Sequence, residues 1–142
     1  MIHFTGDINL TDWMFNVGFG IGTNIGKGLN PLKYLERKEG DLWVGNFEGV
    51  ASYVSANNGI YAKAFRVEPD ILNSVSHMDI YGLANNHAME HGPEAYRETV
   101  KAINAYGSKV FGLRNQKSCV FEHQGRMISI TGMCTRIEAT KW

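Results

Sequence analysis

Residues 82–92 read GLANNHAMEHG. A short apolar run from Ile80 to Ala84 leads in, then come Asn85, Asn86 and His87, and four residues later His91. Two readings compete here. As a helix, His87, Glu90 and His91 spell H-x-x-E-H, the inverted zinc-protease signature, which places histidines at i and i+4 on one helix face. But Gly92-Pro93 follows at once, and the residue before a proline is pushed out of the helical region. The strand-like run before it leaves a helix nowhere to extend. The stretch is therefore read as a buried strand leaving into a polar turn, with His91 a loop or surface residue.

That reading organises the neighbouring segments. Downstream, Gly92-Pro93 opens a helix, Gly107 stands where a C-terminal cap belongs, and Tyr96, Val100, Ile103 and Tyr106 form one apolar stripe. SKVFG reads as a short strand. Lys117–His123 and Arg126–Thr131 read as a hairpin across Gln124-Gly125. Upstream lie a strand MDIYGLA, a helix Pro69–Ser76, and a long loop with irregular strand over 50–66. Before these come a buried strand LWVGNFEG, a short helix Pro31–Arg37 and a first strand Ile2–Thr5. Residues 18–28, GFGIGTNIGKG, hold five glycines. They match neither G-x-G-x-x-G nor a Walker motif in any register, so a mobile loop is expected. Strands alternating with helices predict an α/β fold with parallel neighbours.

Composition narrows the classes. The chain has 142 residues, enough for one domain, and 44% are apolar, so a real core can form. It ends ten residues past Gly132 with no recognisable closing element, and residues 1–142 are expected to be the N-terminal portion of a larger domain. Fourteen basic and 14 acidic residues give a formal charge of +0, which argues against a nucleic-acid partner or a polybasic membrane anchor. No apolar run is long enough to span a membrane, and MIHFTGD carries no signal-peptide pattern. The compartment and the oligomeric state stay open. Cys119 and Cys134 form no CxxC and read as reduced, structural thiols.

Three apolar runs end alike. HFTGD stops at Asp7, LWVGNFE at Asn46 and Glu48, and IYGLANNH at Asn86 and His87, each with Gly or Ala just before the polar group. Parallel sheets place ligand sites outside the carboxyl ends of their strands. Oxygen donors with an imidazole suit Mn²⁺, Fe²⁺, Zn²⁺ or Mg²⁺. The competing reading is plain: Asn and Asp are ordinary turn residues and helix caps. His3, His77 and His123 read as structural. Trp13, Phe15, Trp43 and Phe47 read as packing residues that could also floor a cleft.

Taken together, FTGDINL, DLWVGNFEG and LANNHAMEHG resemble the bacterial capsule-synthesis CapA family, the poly-γ-glutamate synthesis proteins, whose fold is that of the calcineurin-like metallophosphoesterases. The family motifs run GD-(I/V)-M-L, N-L-E and A-N-N-H-x-x-D-x-G, and the intervening AFRVEPDILNSVSHMDIYGLANNH also fits. The resemblance covers essentially the whole chain. It implies an α/β/β/α sandwich and a metal site. Asp7 and Asn86 would be metal ligands, with Asn46 and Glu48 matching N-L-E, and His87 would contact a phosphate or protonate a leaving group. The departures are Asn9 for the His of D-x-H, Asn46 for a bridging Asp, and Glu90 for the family's Asp. A neutral amide balances two divalent ions less well than a carboxylate, which puts a dinuclear site in question.

Three functions stay open at this point. One is a metal-dependent hydrolase acting on a phosphoester. The second is a non-catalytic accessory protein binding an anionic polymer, within the capsule-synthesis membrane complex that the resemblance implies. The third is a plain α/β domain whose polar strand ends only cap helices.

Overall fold

The computed structural model describes residues 1–135. Its centre is a four-stranded, all-parallel sheet. Strand β1 (Ile2–Ile8) lies beside β2 (Leu42–Phe47). Two short strands, β3 (Val50–Ala51) and β4 (Arg66–Val67), pair with each other in a separate parallel ribbon. β5 (Ile80–Gly82) adds to β2, and β6 (Lys109–Phe111) adds to β5, giving the order β1-β2-β5-β6. Strands β7 (Ser118–His123) and β8 (Arg126–Thr131) form the expected antiparallel hairpin.

Helices cover one face of the sheet. Helix α1 (Ile21–Gly26) falls inside the glycine-rich segment, and helix α2 (Gly92–Ala105) links β5 to β6. Two segments expected as α-helices are tighter 3-10 turns, Pro31–Tyr34 and Pro69–Val75. Both are short pieces, the length range in which 3-10 turns are common. The loop expected over 50–66 contains β3, a third 3-10 turn at Gly59–Lys63, and the start of β4. α2 closes as its sequence predicts. The Gly107 amide donates to Asn104 and the Ser108 amide to Ile103, a Schellman arrangement that caps two orphan carbonyls, with Gly107 in the left-handed region at φ 86°.

Alternation along β2 decides which side chain faces which layer. Trp43 and Phe47 point to the helical side and join Tyr81, Val110, Leu72, Val75 and Ile103 in the larger core. Val44 points the other way, with Ile80 and Phe111, onto Cys119 and Phe121 of the hairpin. Both faces are covered, so β2 reads as a near-continuous apolar run. Each fully buried aliphatic or aromatic side chain contributes roughly 1.5–3 kcal/mol. Both cysteines are free thiols, Cys119 buried and Cys134 half-buried. Among the described residues no helix is long and apolar enough to cross a membrane.

The glycine-rich segment is tied down by Asp12. Its carboxylate accepts the Val17 and Gly18 amides at 2.8 and 3.2 Å, and the Thr23 amide and hydroxyl at 2.6 Å each. Burial pushes the Asp12 carboxyl up, but these hydrogen bonds outweigh it and hold it below its usual value.

Candidate functional site

The first strand continues past Thr5, where the sequence reading ended it, through Asp7 to Ile8. Phe4 pairs with Val44 and Asp7 with Asn46, so β1 carries one residue more than β2 over this stretch. That is a β-bulge, and Gly6 supplies it at φ 76°, a conformation costly for other residues. Partnered residues of a parallel ladder share a face. The bulge therefore turns Asp7 onto the face of Asn46, where strict alternation from Phe4 would turn it away.

Asn46 is held from both sides. Its Nδ2 donates to Asp7 Oδ1 at 2.8 Å, and its Oδ1 accepts from Asn85 Nδ2 at 3.1 Å. Asn85 also donates to the Phe47 carbonyl at 2.8 Å and accepts the His87 amide at 3.0 Å. This buried side chain cross-links the ends of β2 and β5 and shapes the turn. The sequence reading gave Asn85 no role, although its place beside Asn86 in ANNH was the available signal. Gly45 precedes Asn46 in a close-packed spot: a Cβ there would stand 2.4 Å from Ile8 Cδ1 and 2.8 Å from Thr5 Oγ1, so those side chains would have to turn aside.

Glu48 lies half-buried at the same edge, and burial, followed by the charge of Asp7, raises its carboxyl above the usual value. His87 faces it, with Nε2 3.6 Å from Glu48 Oε1. The other nitrogen, Nδ1, is 2.7 Å from Glu90 Oε2. An Nδ1–H donated to Glu90 leaves Nε2 as the working atom toward Glu48. Phe65 stacks on the imidazole with ring centroids 3.8 Å apart. Phe65 does so from φ 47°, a conformation disfavoured for an aromatic residue, fixed by its amide donating to Met14 and its carbonyl accepting from Val50.

The edge thus brings together Asp7, Asn46, Glu48 and His87. Asn86 follows in the same turn, half-buried, and its amide has no hydrogen-bond partner among the described residues. Asn9 serves the loop instead: Oδ1 accepts the Thr11 amide at 3.0 Å and Nδ2 donates to the Trp13 carbonyl at 3.0 Å. Among the described residues no group of three or more His, Cys, Asp or Glu side chains is arranged as a metal cage. Any cation here would draw on amide oxygens as well as carboxylates.

Two expectations are corrected. His91 is neither loop-exposed nor on the surface: it is 1% exposed. Its Nδ1 lies 2.7 Å from Ser55 Oγ and its Nε2 2.5 Å from the Ala64 carbonyl. The turn points it inward to anchor residues 55–64, away from His87. Trp13 is 74% exposed and packs in no core, whereas Trp43 and Phe47 are core residues. His3 is structural as expected, stacked on Trp43 at 4.3 Å with Nε2 3.1 Å from Asp41.

Residues 1–141 match the family described as bacterial capsule synthesis protein PGA_cap. The chain belongs to this family, and its function is of the capsule-synthesis type. No curated protein matches it.

Proposed function

We propose that this capsule synthesis protein holds a divalent cation between the carboxylates of Asp7 and Glu48, with the amide oxygen of Asn86 and the second lone pair of Asn46 Oδ1, whose first accepts from Asn85, completing the donor set. Through it the protein would grip an anionic polymer, poly-γ-glutamate being the one the resemblance implies, or a phosphoester. The carrying observation is the convergence of strand ends: Asp7 lies opposite Asn46 and bonds to it at 2.8 Å, Glu48 follows two residues on, and His87 Nε2 stands 3.6 Å from Glu48, whose carboxyl burial and the Asp7 charge raise. Among the described residues no Lys or Arg pairs with Asp7 or Glu48. A cation relieves the repulsion between these two carboxylates, and the mixed carboxylate–amide set suits Mg²⁺, Mn²⁺, Fe²⁺ or Zn²⁺. Bound there, such an ion would supply a Lewis-acid centre that polarises a phosphoryl or carbonyl oxygen.

The chain's own residues do the rest. Asn85 fixes Asn46, and Asn46 orients Asp7 through its 2.8 Å hydrogen bond. Glu90 and Phe65 hold the His87 ring. Nε2 can then contact a substrate oxygen or deliver a proton to a leaving group. Metal analysis and calorimetric titration with Mn²⁺ test the reading. Asp7→Ala and Asn86→Ala should lose the bound ion, and unchanged metal content in both would sink it.

A second reading, an accessory protein that binds polymer without turnover, has its own support. Asn46 is neutral and already engaged at both ends, and Asn9 is turned into its loop. Both features favour one ion over two. A screen with phosphomonoesters and phosphodiesters separates the readings. Turnover lost in His87→Ala establishes the hydrolase; metal-dependent retention of polymer with no turnover establishes the accessory role.

A further inference from the structure

The opposite end of the sheet is chemically the reverse of the Asp7–Glu48 edge. Near the starts of β2 and β5 lies a cavity of about 430 Å³, within the size range of small-molecule sites. Leu35, Trp43 and Met78 give it apolar walls, and Lys33, Lys38 and His77 lie at its rim.

Its frame is built. The Arg37 guanidinium bonds to Asp79 Oδ1 at 2.8 Å, to the Asp41 carbonyl at 3.3 Å and to the His77 carbonyl. The second oxygen of Asp79 accepts the Trp43 amide at 2.7 Å. The Lys38 amide donates to Asp41 Oδ2 at 3.2 Å, and Asp41 also meets the N-terminal ammonium at 2.9 Å. Arg37, Asp41 and Asp79 are therefore committed to the walls. Lys33 and Lys38 form no ion pair among the described residues, and Lys33 Nζ lies 5.0 Å from the Tyr34 ring. Glu39 is the one remaining carboxylate in the lining. Two ammonium groups against one carboxylate leave the rim cationic beside an aromatic and aliphatic wall.

We infer that this cavity binds a small organic anion. A phosphate or carboxylate head would sit between the Lys33 and Lys38 ammonium groups, and a flat apolar body would lie against Trp43, Leu35 and Met78. Ammonium groups hold such heads as point charges, and the body removes apolar wall from water. Nothing in the inference depends on a cation at Asp7.

The test is an NMR titration of the ¹⁵N-labelled chain, reading the Trp43 indole N–H, assigned by comparison with Trp43→Phe. The probe is 1-naphthyl phosphate, with 1-naphthoate, 1-naphthol and inorganic phosphate alongside. A saturable shift is expected with 1-naphthyl phosphate or 1-naphthoate, and the tighter of the two identifies the preferred head. Affinity should fall at least tenfold in the exposed double variant Lys33→Gln/Lys38→Gln, and stay unchanged in Asp7→Ala. Inorganic phosphate and 1-naphthol should each bind at least tenfold more weakly. A shift that does not saturate, an undiminished affinity in the double variant, or equal binding of inorganic phosphate would overturn the inference.

Discussion

One turn of the chain carries two imidazoles in opposite surroundings. At its start, His87 keeps part of its surface in solvent and faces a carboxylate with each nitrogen, Glu48 with Nε2 and Glu90 with Nδ1. At its end, His91 is sealed beneath residues 55–64, with both nitrogens facing neutral oxygens. The residue type is the same and the separation is four positions. What differs is whether the surrounding groups are already satisfied. His91 is matched by a hydroxyl and a carbonyl and leaves nothing to offer a ligand. The His87 edge gathers the carboxylates of Asp7, Glu48 and Glu90, with His87 itself between two of them and no Lys or Arg paired with Asp7 or Glu48 among the described residues. The two rings differ in their surroundings, not in their chemistry.

The sharpest way to break this comparison is to delete each ring. His91→Ala should destabilise the fold by about 2–4 kcal/mol, because it opens a cavity and strips a buried carbonyl of its donor. His87→Ala should cost about 1 kcal/mol or less, the scale of a lost ring stack, while abolishing turnover or weakening polymer retention. Urea unfolding of both variants checks the ranking, and a reversed order would show that His87 is the structural residue. Asn85→Ala comes next, at about 2 kcal/mol, since it removes donors to Asn46 and the Phe47 carbonyl. Unlike His91→Ala, it should also weaken Mn²⁺ binding, because Asn46 loses its orientation. Gly45→Ala should cost about 1 kcal/mol, because the ends of Ile8, Thr5 and Met78 must turn aside. Mn²⁺ titration should show at most a small second loss, since the neighbours that move are side chains and Asp7 keeps its place opposite Asn46.

The contrast also explains what could be read from the chain beforehand. The apolar runs that lead into Asp7, Asn46 and the turn holding His87 announce themselves, because apolar runs and their polar exits are local patterns. The α2 helix is likewise local, with Pro93 at its start and Gly107 at its end. Three features are not local. The bulge at Gly6 is a matter of how β1 registers on β2, where it sets Asp7 opposite Asn46. The burial of His91 depends on residues 55–64 folding over it, and nothing near His91 in sequence encodes that cover. Asn85 looks like any turn asparagine until β2 is placed beside it. Residue chemistry was legible; the partners that decide between ligand and anchor were not.

The pH response separates the two ends of the turn again, with smaller effects. Burial holds the His91 imidazole below its usual pKa of 6.5, so the unfolded chain binds more protons once the pH falls below that value. Stability should therefore drop on acidification through pH 6.5, and His91→Gln should flatten that slope. Glu48 behaves oppositely. Its carboxyl is raised above the ordinary 4.5 by burial and by Asp7, so the folded chain binds the extra proton. In metal-free protein that contribution is present below pH 4.5 and lost as the pH rises through the raised value. Glu48→Gln should then stabilise the metal-free chain at neutral pH by a few tenths of a kcal/mol, the scale of a partly exposed charge pair. Adding Mn²⁺ should reverse the order, raising the thermal midpoint of the parent chain above that of Glu48→Gln. A parent chain that is the more stable of the two without metal, and shows no rise with it, would mean the Asp7–Glu48 edge is not strained by its charge.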